Sequence, residues 1–249
     1  MYFGRKFDNL IPRIFCSQVN KLAESKKIRV AILDDHQSII DGYLYRLNQS
    51  NKIEVVATAS YAEEFEEILA SCRPDVLILD VFVPTTRENS NPYPILQAIP
   101  NWRAIYPNLA ILVISMHNLR TLAKAIIEAG ASGYILKDDR GTIETLDGVV
   151  KTVANGGVFF SKQIFDSLSK ESALDSSLTP RQMQVLSLCA AYPDATTNEL
   201  ADRMGIEPST VRNLLSGAYN RMKVNSRAAA IARAIHLGLI PPPNPQLDR

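Results

Sequence analysis

From residue 28 onward, short apolar runs alternate with stretches of helical period. Ile28-Arg29-Val30-Ala31-Ile32-Leu33 reads as a strand, followed by Asp34-Asp35 and a helix near 36–48. Ile53 to Thr58 is a second strand and 61–72 a second helix. Val76-Leu77-Ile78-Leu79 is unbroken and apolar, the mark of a strand buried on both faces. Asp80 stands at its end, before a loop bounded by Pro84. Pro92 to Tyr106 is predicted helical with a weak point at Pro100. Ala110 to Ser115 is a fourth strand, and 118–129 a helix closed by Gly130. Ser132 to Leu136 is a fifth strand, and 142–155 a helix ending at Gly156-Gly157. Such alternation predicts an α/β unit with a five-stranded parallel sheet and helices on both faces.

After a polar, Ser- and Lys-rich helix and linker over 161–177, the strand signal stops. Helices are predicted at 180–191, 196–204, 208–222 and 226–237. Two of them open on capping boxes, Thr179-Pro180-Arg181-Gln182 and Thr196-Thr197-Asn198-Glu199. The pattern divides the chain into an extension (1–27), an α/β domain (28–157), a linker (158–177), an all-α domain (178–240) and a Pro-rich tail (241–249). In the extension Phe7, Leu10, Ile11, Ile14, Phe15, Val19 and Leu22 have helical spacing interrupted by Pro12. A docked helix, a basic contact with a membrane or partner, and an untethered terminus are the three readings.

Charge sharpens the division. Residues 28–170 carry thirteen Lys/Arg against seventeen Asp/Glu, whereas 178–249 carry eight against five. An acidic unit followed by a basic one suggests a regulatory or metal-binding domain joined to one that meets a polyanion. Cys16, Cys72 and Cys189 are far apart, with no C-x-x-C, so a disulfide framework or zinc site is not expected and a reducing cytoplasm is. No apolar run approaches the ~20 residues that span a bilayer, and the N-terminus lacks the signal-peptide pattern.

Asp34, Asp35 and Asp80 fall at strand ends, where an open parallel sheet places its chemistry. Singly, each is more often a turn or helix-cap residue. Together, three carboxylates repel one another and call for a cation, and oxygen ligands at a phosphate site suit Mg²⁺. Ser115 and Lys137 end the fourth and fifth strands and would meet phosphoryl oxygens. A nucleophile, a metal, a hydroxyl and a fixed ammonium are the parts of phosphoryl transfer to a carboxylate.

The motifs Ile32-Leu33-Asp34-Asp35-His36, Leu77-Ile78-Leu79-Asp80 with Pro84, Val113-Ile114-Ser115-Met116-His117 and Gly130 through Lys137-Asp138 make residues 28–155 resemble a response-regulator receiver domain. The resemblance implies a flavodoxin-like fold with Asp80 as phosphoacceptor. Asp34, Asp35, Asp80 and the carbonyl of Phe82 would bind the metal. Ser115 and Tyr134 would be the switch residues and Lys137 the phosphate-contacting lysine. Two departures stand out. Phe82 replaces a small or polar residue, and the loop from Pro84 to Pro92 is about four residues longer than the family pattern.

In the basic domain, helices 196–204 and 208–222 joined by Gly205-Ile206-Glu207 have helix-turn-helix spacing. The bland alternative is a helical bundle with a solvated cationic face. Leu178 through Gln182, Asn198 through Ala201, Ser209 through Asn213 and Val224 through Arg227 resemble the LuxR-type DNA-binding domain. That implies base-edge contacts from the start of the second helix, which carries Ser209, Thr210, Arg212, Asn213 and Ser216. Phosphate contacts are expected from Arg221, Lys223 and Arg227.

The two halves together resemble the NarL/FixJ class of two-component response regulators. The implied function is transcriptional control of promoter DNA, switched by a sensor histidine kinase acting on Asp80. An active homodimer follows, with the Ala-rich segment Ser226 to Leu237 as its surface, and RNA polymerase is a further partner. A phosphorylation-independent regulator with an atypical receiver is one rival. A flavodoxin-like phosphate-transferring enzyme is another, disfavoured because no Gly-rich phosphate loop is present. His36, His117 and His236 are given no special role.

Overall fold

The structure is a computed structural model that describes residues 26–169 and 178–242. The readings made for most of the N-terminal extension, for the linker segment 170–177 and for the end of the tail lie outside the described residues.

The first domain runs β1 (Ile28–Leu33), α1 (Gln37–Leu47), β2 (Ile53–Ala59), α2 (Ala62–Cys72), β3 (Val76–Leu79), α3 (Ile95–Ile105), β4 (Ala110–Ser115), α4 (Arg120–Glu128) and β5 (Gly133–Leu136). It continues through α5 (Arg140–Glu144), α6 (Leu146–Ala154), β6 (Phe159–Phe160) and α7 (Lys162–Ser169). All strand pairs are parallel, in the order β2-β1-β3-β4-β5-β6. The sheet therefore has six strands, not the five expected. The extra strand is a two-residue aromatic pair, too short to show a period. It fits because Gly133 has no side chain: a Cβ there would sit 2.6 Å from the Phe159 carbonyl oxygen. The helix predicted over 142–155 is two helices, parted at Thr145.

Strand alternation sends side chains to two cores. Val30, Ile32, Val76, Ile78, Leu112 and Ile114 pack with α1 and α6 residues. Ala31, Leu33, Leu77, Leu79, Ile111 and Val113 face α2, α3 and α4. This second core is continuous with that of the helical domain, α8 (Pro180–Ala191), α9 (Thr197–Met204), α10 (Pro208–Met222) and α11 (Arg227–His236). Both predicted capping boxes are formed, at Thr179/Gln182 and Thr196/Glu199.

Pro100 lies inside α3 without ending it. Proline has no N–H, so the carbonyl of Leu96 one turn back loses its helical donor. That carbonyl instead accepts a hydrogen bond from Gln184 Nε2 of α8, at 3.1 Å. Two more amide side chains cross the same boundary. Gln97 Nε2 donates to the Arg203 carbonyl at 3.4 Å, and Asn89 Nδ2 to the Ala191 carbonyl at 3.0 Å. Asn89 belongs to the long loop 84–92. An antiparallel bridge between Pro84 and Pro92 closes this loop, and bonds of Thr85 to Asn91 and of Thr86 to Asn89 brace it.

Candidate functional site: an acidic cluster at one sheet edge and an exposed helix face

Sheet register assembles the first site. Leu33 pairs with Leu79, so Asp34 and Asp80 leave adjacent strands at the same level. Ser115 pairs with Leu136, which brings Lys137 to that edge. Lys137 Nζ lies 2.7 Å from both Asp34 Oδ2 and Asp80 Oδ2, and all three side chains are buried. The other Asp80 oxygen, Oδ1, accepts the backbone N–H of Val81 at 2.6 Å. Carboxylate oxygens of Asp34, Asp35 and Asp80 and a ring nitrogen of His36 lie within 4.8 Å of one another. This set suits a divalent cation with oxygen ligands.

Charge balance follows from burial. Desolvation pushes the Asp34 carboxyl above its usual range, and the Asp80 charge adds to the rise while Lys137 opposes it. Burial pulls Lys137 down, but the two carboxylates outweigh it and hold the ammonium above its ordinary value. Lys137 is thus a fixed cation between two acids.

The structure brings Ser115 and Tyr134 together beside this cluster. Tyr134 O–H donates to the His117 carbonyl at 3.1 Å, and Ser115 Oγ accepts the His117 backbone N–H at 3.2 Å. Burial drives the Tyr134 phenol up to about 12, with a Ser115 hydrogen bond opposing the rise, so the group stays a donor. The Phe82 and His117 rings meet at a 52° tilt with centroids 4.7 Å apart. Two histidines given no role from the sequence therefore sit at the site. His36 Nδ1 is 2.7 Å from Asp35 Oδ1, and its place directly after Asp34-Asp35 was the available signal.

The second site is α10. Gly205 takes φ +63° and lets the chain turn between α9 and α10. Val211, Leu215, Ala218 and Met222 are buried, which leaves Ser209, Thr210, Arg212, Asn213 and Ser216 exposed along the opposite face. The first domain does not cover that face. Lys223 is exposed at the helix end. Arg221 is exposed and also donates to Gln182 Oε1 at 3.1 Å, the same oxygen that caps the Thr179 N–H. Arg227, expected at phosphate, donates to the carbonyls of Ala195 at 2.6 Å and Pro193 at 3.3 Å. It therefore holds the loop before α9.

Residues 30–146 match the response regulator receiver domain model, and residues 176–234 match that of the bacterial regulatory proteins of the luxR family. The transcriptional regulatory protein MctR of Rhizobium johnstonii is 30% identical over 221 residues, covering 88% of this chain and 98% of that protein. The transcriptional regulatory protein DegU of Brevibacillus brevis is 27% identical over 245 residues, covering 89% and 99%. In fold, the chain is similar to RcsB of Salmonella enterica serovar Typhimurium, solved bound to promoter rprA with phosphomimetic BeF3⁻. The TM-score is 0.60 at 22% identity, over 84% of this chain and 98% of that one. The chain belongs to the NarL/FixJ-type response regulators, which join a receiver domain to a LuxR-type DNA-binding domain. No helix among the described residues is long and apolar enough to cross a membrane.

Proposed function

We propose that this response regulator accepts a phosphoryl group on Asp80 from a sensor histidine kinase and, as a homodimer, binds promoter DNA through α10. The observation that carries the reading is Lys137, shared at 2.7 Å between Asp34 and Asp80 inside a cluster of four metal-type ligands. A carboxylate oxygen of Asp80 attacks phosphorus, and the bond from phosphorus to the donor nitrogen breaks. The Val81 N–H and Lys137 orient the carboxylate. Asp34, Asp35, Asp80 and the Phe82 carbonyl would hold Mg²⁺, which would supply charge neutralisation for the phosphoryl oxygens. Lys137 and Ser115 receive those oxygens as donors. Movement of Ser115 toward them draws on the same His117 backbone that Tyr134 holds, which carries the change into the segment before α4.

On DNA, Arg212, Asn213 and Ser216 face base edges, with Ser209 and Thr210 at the groove-entering end of the helix. Lys223 and the remaining donors of Arg221 and Arg227 meet phosphates. The exposed small residues Ala228 and Ala232 of α11 support a dimer surface there. The cytoplasm is the compartment for these partners, and RNA polymerase is the downstream one. The test is intact mass after incubation with a small phosphodonor and Mg²⁺, followed by titration against promoter fragments. One phosphoryl adduct, lost in Asp80→Asn, is expected. An adduct unchanged in that variant refutes the assignment.

A further inference from the structure

A cavity of about 610 Å³ lies where the two domains meet, on the α2–α3 side of the receiver. Its size falls within the roughly 300–1,000 Å³ typical of small-molecule sites, which favour domain interfaces. The receiver contributes Glu63 and Glu66 of α2, Tyr93, and Gln97 of α3, while the DNA-binding domain contributes Tyr192 and Arg203.

The polar groups on this wall want a donor. Gln97 is only 7% exposed, and its Oε1 has no hydrogen-bond partner among the described residues although its Nε2 is used. A buried amide oxygen left unpaired is costly and uncommon. Two carboxylates face the same space. Glu66 accepts the Tyr93 hydroxyl, and Glu63 and Glu66 both act on the Tyr192 phenol. The single cation, Arg203, is stacked 3.7 Å above the Tyr192 ring. One unmet acceptor, two carboxylates against one cation, and aromatic walls define one complement.

We propose that this interdomain cavity binds a small cationic aromatic amine. The ammonium lies toward Glu63 and Glu66, a ligand donor meets Gln97 Oε1, and the ring packs on Tyr93 and Tyr192. Because both domains form the walls, such a ligand binds the docked arrangement selectively and holds it in place.

Trp102 lines the cavity and is the one tryptophan of the sequence, so its fluorescence reports occupancy in the full-length chain. The probes are tyramine and its anionic counterpart, hydroxyphenylpropionate. Tyramine is expected to give a saturable change and the anion none. The double variant Glu63→Gln, Glu66→Gln should weaken tyramine roughly tenfold or more, the size of a lost charge-assisted contact. Tyr192→Ala should weaken it as well. Circular dichroism and DNA binding, which use none of these residues, check that the variants fold. No saturable response to tyramine, an equal response to the anion, or unchanged affinity in both variants overturns the proposal. Gln97 would then be satisfied by water alone.

Discussion

Lys137→Met tests the acidic cluster most directly. The substitution keeps an unbranched side chain one atom shorter and removes its charge. In the native fold the ammonium contacts two buried carboxylates at 2.7 Å each and offsets part of their charge. At an effective dielectric near 20, each such contact is worth roughly 6 kcal/mol before desolvation is counted. Much of that is offset by the cost of burying the lysine. The net loss expected on breaking a buried charge network is about 3–5 kcal/mol. Protonation limits the loss, and the sign follows from Asp34. Burial and the Asp80 charge already hold its carboxyl above the usual range, and losing Lys137 raises it further. A raised carboxyl favours the fold below its unfolded value, and that contribution fades as pH rises through the folded value. The variant should therefore be far less stable than the wild type at neutral pH and recover much of the gap as pH falls toward 4. Mg²⁺ should also stabilise the variant more than the wild type, because it meets two uncompensated carboxylates. Urea unfolding at pH 7.5 and pH 4.5, with and without Mg²⁺, measures all three effects. Equal stability at neutral pH, or a gap that neither acid nor Mg²⁺ narrows, would show that Lys137 does not neutralise this pair.

Tyr43→Phe should be neutral or stabilising by up to about 1–2 kcal/mol, since the buried Tyr43 hydroxyl has no partner among the described residues. A clear loss in thermal melting would reveal a bound water or ion at that hydroxyl. Arg212→Ala should cost roughly 1–3 kcal/mol and relax preference at one base pair per half-site, whereas loss of the Lys223 charge should weaken all sequences alike and flatten the salt dependence. Lys223 has φ +55°, so Lys223→Asn removes the charge with a residue that tolerates this backbone. Titration of both variants against single-base site variants separates the roles, and full sequence preference in Arg212→Ala refutes the groove assignment. Burial pushes the Cys189 thiol up to about 11, so at pH 8 it should resist labelling while half-buried Cys72 reacts. Mass mapping of labelled peptides decides it, and comparable rates at the two thiols contradict the burial argument.

Most of the fold is visible in the sequence because its elements are either fully apolar, like Val76–Leu79, or well capped, like α8 and α9. The departures have local causes. Phe159–Phe160 pairs only because Gly133 admits its backbone, a relation between residues 26 positions apart that no local period records. Thr145 interrupts a stretch whose apolar spacing reads as a single helix. The acidic cluster is legible because each member ends a strand, and strand ends converge once the sheet is parallel. What the chain does not advertise is pairing across domains. Gln97, Gln184 and Asn89 look like ordinary surface amides until the second domain is in place. The bonds of Arg227 to the Pro193 and Ala195 carbonyls are likewise unannounced in the sequence.

The proline in α3 has a consequence for how the two domains communicate. By exposing the Leu96 carbonyl it creates a neutral anchor, and the other two crossings are also amide to carbonyl. None of the three involves a formal charge, so ionic strength and moderate pH leave them nearly untouched. Contacts with the DNA backbone are ionic and salt-sensitive. These three amide contacts and the grip on DNA thus answer to different variables.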